Sequence, residues 1–70
     1  MTILEAEKAL VETGLPARVV DTARRHLWLL YAIGVKEIYG LHSTDGRGVS
    51  VSWAHHGCRY VLIVELGAFN

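Results

Sequence analysis

The sequence predicts an α+β fold: two N-terminal helices packed on a three-stranded antiparallel meander (ααβββ). Three observations carry that reading. Residues 2–33 hold apolar side chains at helical spacing between recognisable caps. Residues 35–66 switch to short apolar runs rich in β-branched and aromatic residues. Two tight-turn signals, Asp45-Gly46 and His56-Gly57, divide those runs, and Asx-Gly between strand-like segments is the strongest short-range hairpin signal.

The first helix is predicted over about Thr2–Thr13. Thr2-Ile3-Leu4-Glu5 fits a capping box, in which a Thr hydroxyl and a Glu carboxylate satisfy otherwise orphaned N–H groups. Ile3 with Leu10, and Leu4 with Val11, repeat at seven-residue spacing and form an apolar stripe. Gly14 suits the C-terminal cap, and Pro16 suits the first turn of a second helix. That helix runs to about Ile33 and ends at Gly34, with Val20, Ala23, Leu27 and Leu30 inward and Val19, His26 and Ile33 beside them. Its first half carries Arg18, Asp21, Arg24 and Arg25. Its second half, Leu27-Trp28-Leu29-Leu30-Tyr31-Ala32-Ile33, is apolar all round, the pattern of a helix end covered on several sides.

Strands are expected at about Val35–His42, Gly48–His55 and Cys58–Leu66. A two-residue turn at each signal opposes His42 with Val49, Gly40 with Val51 and Ile38 with Trp53. In the second hairpin it opposes Trp53 with Tyr60, Val51 with Leu62 and Val49 with Val64. Ile38, Val49, Val51, Trp53, Tyr60, Leu62 and Val64 then share an inner face against the second helix. The outer face carries Tyr39, Leu41, Ser50, Ser52, Val61 and Ile63, a mixture of serines with large apolar groups. The third strand has no Pro or Lys to block pairing at its edge.

Seventy residues make a single domain, 1–70. A chain this short buries only roughly 60% of its unfolded surface. A 51% hydrophobic content therefore exceeds what one small monomer hides, and predicts a partner. Seven basic and seven acidic residues balance, which disfavours both a nucleic-acid binder and an acidic nucleic-acid mimic. One cysteine excludes an internal disulfide. Glu5 and Glu7 stand where a secretory leader needs basic residues, and no apolar run is long enough to span a bilayer. The expected location is cytoplasmic.

Chemistry-bearing residues gather at the second turn. His55, His56 and Cys58 are zinc-type ligands, with His42 as a further candidate, but one Cys in a two-residue turn lacks the paired clusters of a structural zinc site. Cys58 as nucleophile with His55 as base, oriented by Glu37 or Asp45, would need a concave site and a feature that lowers the thiol pKa. The reading is therefore no enzyme, no metal and no cofactor. Arg18, Arg24, Arg25 and Lys8, with Arg47 on the first turn, form the alternative of a small nucleic-acid-binding regulator, although Asp21 interrupts the patch. The favoured reading is protein binding through Arg24, Arg25, Trp28, Tyr39 and Arg47, because aromatic residues with arginines typify interface hot spots. Tyr39, Leu41, Val61 and Ile63 are the candidate interface of a homodimer built through the third strand.

The layout (a capped short helix, one long helix, and a Ser-studded meander ending at Glu65-Leu66-Gly67) resembles small inhibitors carried by phages and mobile elements, of which anti-CRISPR proteins are the best-known class. The resemblance covers size and layout; that class shares no common motif, so no residue role is carried over. It implies a host protein or protein complex as partner, a surveillance-complex or nuclease subunit whose target recognition is blocked sterically in the host cytoplasm.

Overall fold

A computed structural model describes residues 1–69, with side chains described for residues 1–67. The expected span 1–70 runs one residue past that range. The elements follow the order α1 (Ile3–Glu12), α2 (Ala17–Ala32), β1 (Gly40–Thr44), β2 (Gly48–His55) and β3 (Cys58–Glu65), then a 3-10 turn at Leu66–Phe69. Two N-terminal helices pack against a three-stranded antiparallel sheet of order β1-β2-β3, the ααβββ arrangement expected.

Both helices are bounded as their caps dictate. The Thr2 hydroxyl accepts the Glu5 N–H at 3.1 Å, and a Glu5 carboxylate oxygen accepts the Thr2 N–H at 2.9 Å. These are the two reciprocal bonds of a capping box. At the end of α2, Gly34 takes φ +101° and donates to the Tyr31 carbonyl, while Val35 N–H donates to the Leu30 carbonyl at 2.9 Å. That bond pair is a Schellman motif, and its usual apolar contact is Val35 with Leu30, both buried. The motif swings the chain inward at Val35 and leaves Ile33, expected beside the inward stripe, 60% exposed.

One cluster forms the core: Ile3, Ala6 and Leu10 from α1, Leu15 from the connection, Val19, Ala23, Leu27 and Leu30 from α2, then Val35, Ile38, Val49, Val51 and Val64. α1 packs over β1, and α2 packs over β2 and β3. The second hairpin has the expected register, with Val49 opposite Val64, Val51 opposite Leu62 and Trp53 opposite Tyr60. The Trp53 and Tyr60 rings stack at 5.6 Å.

The first hairpin departs from expectation by one residue. Thr44 pairs with Gly48, Ser43 with Val49 and Leu41 with Val51. Asp45 and Gly46 take φ 51° and 69°, as a two-residue type I′ turn requires, and Arg47 N–H closes it on the Thr44 carbonyl at 3.0 Å. Arg47 is then an extra residue, because its carbonyl turns to accept the Leu66 N–H. It behaves as a bulge. The slip carries Leu41 to the inner face, half-buried against the core, rather than to the outer face expected of it.

β1 is also shorter at its start than Val35–His42. The Ile38 N–H donates to the Met1 carbonyl and the Ile3 N–H to the Lys36 carbonyl, with a lone antiparallel bridge between Thr2 and Glu37. The backbone of residues 36–38 is therefore bonded to the chain's first residues, not to β2. Ile38 still reaches the core from there.

Candidate functional site

The most conspicuous surface lies where the helices meet on the side away from the sheet. α1 buries Ile3, Ala6 and Leu10, which at helical spacing turns Leu4 and Val11 outward; they are 66% and 57% exposed. α2 buries Val19, Ala23, Leu27 and Leu30 and leaves Trp28 and Tyr31 exposed on the flank toward α1. Leu4, Trp28 and Tyr31 line one open hollow with Lys36, and Leu4 and Val11 line an adjoining one with Lys8 and Arg24.

Glu7 organises this face. One of its carboxylate oxygens accepts the Trp28 indole N–H at 2.6 Å and the Arg24 Nε–H at 3.4 Å. The indole is thereby held by its polar end while its ring stays open to solvent, and Tyr31 packs edge-on at 5.6 Å. Burial in a contact would strip water from an indole already held in position, so little of its side-chain freedom remains to be lost.

Arg24, Arg25 and Trp28 of the expected partner-binding set come together here; Arg25 borders a further hollow beside Trp28 with Asp21 and Leu29. Tyr39 and Arg47 lie elsewhere. Tyr39 sits beside the start of β1, its ring centroid 5.7 Å from the guanidinium carbon of Arg59 on β3, and it is 63% exposed. Arg47 stands on the first turn near Glu65 and Leu66. Leu4, Glu7 and Val11 belong to the face, although the sequence singles out Leu4 and Val11 only as an apolar stripe of the first helix and Glu7 only as a charge unsuited to a secretory leader. The i, i+3, i+7 spacing of the three sets them on one side of α1. What escaped was that this stripe borders α2 rather than entering the core.

The expected dimer set divides as well. Val61 and Ile63 are exposed neighbours on the outer face of β3, Tyr39 approaches that face from the opposite edge, and Leu41 faces inward.

The second turn is geometry first. His56 and Gly57 take φ 50° and 79°, a type I′ turn closed by the His55–Cys58 pair. The two imidazoles lie 4.0 Å apart and Cys58 is exposed. Among the described residues, no group of three or more His, Cys, Asp or Glu side chains is placed to hold a metal ion. No helix among them is long and apolar enough to cross a membrane. No protein-family model matches the chain, and neither a curated protein nor a solved structure matches it.

Proposed function

We propose that this chain is a non-catalytic protein-binding module that docks a protein partner on the face between α1 and α2. The observation that carries the reading is the indole of Trp28, exposed yet pinned by Glu7, between exposed Leu4 and Tyr31. A rigid aromatic anchor with apolar neighbours and a rim of Lys8, Arg24 and Lys36 is the composition of an interface hot spot. The inhibitor role is part of the same proposal. On the resemblance of size and layout, the partner is a subunit of a CRISPR surveillance complex or nuclease, and bulk on that subunit blocks target recognition. The nucleic-acid alternative is less well supported, because Arg24 is bonded to Glu7 and the net charge is zero.

Inhibition of a panel of CRISPR effector complexes, measured with Trp28→Ala and Leu4→Asp beside the wild type, tests this. Each substitution is expected to weaken inhibition roughly thirtyfold, a hot-spot loss of about 2 kcal/mol, while the thermal midpoint of the variants stays close to wild type. If both variants inhibit as well as the wild type, the helix face is not the docking surface. If no effector in the panel is inhibited, the anti-CRISPR assignment is lost and the binding-module reading passes to partner capture with the same variants.

A further inference from the structure

β3 is an edge strand of eight residues, Cys58-Arg59-Tyr60-Val61-Leu62-Ile63-Val64-Glu65. Its pairing with β2 fixes which of its backbone groups are already used. The two-residue turn makes His55–Cys58 a hydrogen-bonded pair, and such pairs alternate along an antiparallel ladder. Ser52 agrees with that alternation: its carbonyl is taken from the β1 side by the Tyr39 N–H at 2.8 Å. Val61, opposite Ser52, therefore points its N–H and C=O to the open edge, as do Arg59, Ile63 and Glu65. Their side chains all lie on the outer face of the sheet.

This edge is self-complementary. We propose that β3 pairs antiparallel with β3 of a second copy of this chain, centred on Leu62, so that Arg59 of each copy meets the partner's Glu65. The same register sets Val61 against the partner's Ile63, and Leu62 lies on the two-fold axis. Every outward-pointing backbone group of these four residues then finds its partner. A shift of two residues opposes Arg59 with an isoleucine or Val61 with a glutamate, and a shift of one sets outer-face residues against inner-face ones. Charge complementarity selects the Leu62-centred register.

The helix layer fits the same dimer. A two-fold axis normal to the sheet keeps both helix layers on one face, with the two α2 helices about two strand spacings apart, ~10 Å, a normal distance for packed helices. Arg24 and Trp28 occupy the α1 flank of α2; helical spacing puts Leu29 and Ile33, both about 60% exposed, toward the other flank, which overhangs β3. Arg59 leaves only a loose contact when it turns to the partner, because 5.7 Å from the Tyr39 centroid is near the limit of ring attraction.

Sedimentation of Arg59→Glu, Glu65→Arg and their equimolar mixture decides the matter. The wild type is expected to dimerise in the micromolar range. Arg59→Glu alone sets acid against acid, and Glu65→Arg alone sets base against base. Each should raise the dimer dissociation constant about tenfold or more. Mixed, the two variants complement each other at both charge pairs and should recover the dimer, which also shows that each is folded. In this register the two Cys58 thiols lie at opposite ends of the interface, so the dimer should survive reductant. A wild type of 7.8 kDa throughout, single variants that stay dimeric, or a mixture that stays monomeric would each overturn the proposal. The docking face on the helices is a separate surface, so failure here leaves that reading untouched.

Discussion

Gly48 shows how much a single position constrains this sheet. A Cβ built there would stand 2.5 Å from the Val64 carbonyl oxygen, 2.9 Å from Glu65 Cγ and 3.0 Å from Thr44 Oγ1. The first contact is backbone and cannot swing aside. Gly48→Ala should therefore cost about 1–3 kcal/mol, the usual range for overpacking. Gly40→Ala is the matching control, since the nearest atoms to its Cβ belong to the movable His42 ring, the closest at 3.0 Å. Urea unfolding midpoints should fall clearly for the first and little for the second; equal losses would mean that Val64 gives way. Gly48 is also where the bulge at Arg47 becomes legible. The run Asp45-Gly46-Arg47-Gly48 announced a turn, but two-residue and bulged closures both suit it, and only the approach of Val64 explains the second glycine.

At the scale of elements, the capping box of α1 makes a pH prediction. The Thr2 N–H and hydroxyl hold the Glu5 carboxyl below the ordinary glutamate range, by stabilising its charged form. A carboxyl whose folded pKa is lowered stabilises the fold above its unfolded value and loses that contribution as pH falls through the folded one. Unfolding midpoints of the wild type should thus decline more steeply on acidification through the glutamate range than those of Glu5→Gln. Parallel curves would show that the box contributes nothing through charge. The effect is small because the carboxyl is fully exposed. Both helices and the second hairpin were readable from caps, spacing and His56-Gly57 because the bonds that define them are local. β1 was not, since the bonds that hold residues 36–38 out of it and delay its start to Gly40 are made with Met1 and Ile3, more than thirty residues away in sequence.

The whole molecule measures 31 × 21 × 18 Å, too small to enclose an all-apolar helix end. Trp28, Leu29, Tyr31 and Ile33 consequently remain exposed on α2, although the pattern 27–33 had suggested cover on several sides. The proposals divide that surplus between two surfaces, the α1/α2 face and the β3 edge with the overhanging flank of α2. If the division is right, the surfaces are separable. Trp28→Ala should leave the dimer dissociation constant within about twofold of wild type, and Arg59→Glu should leave partner affinity per protomer unchanged, since residues without shared contacts act additively. Coupled losses, measured by sedimentation and partner binding on the same samples, would mean that one surface builds the other.

By itself, the sequence determined the element order, the helix caps and the register of the second hairpin. Each rests on interactions between residues a few positions apart, and an amino-acid pattern records such interactions directly. Only the tertiary structure decided the one-residue slip that turned Leu41 inward, the late start of β1, and which half of the α1 stripe met solvent. Those outcomes depend on distant backbone groups competing for the same partners. The candidate site divides along the same line: Trp28 and its arginines stood out as residue types, whereas Leu4, Glu7 and Val11 became part of a surface only when α1 was laid against α2.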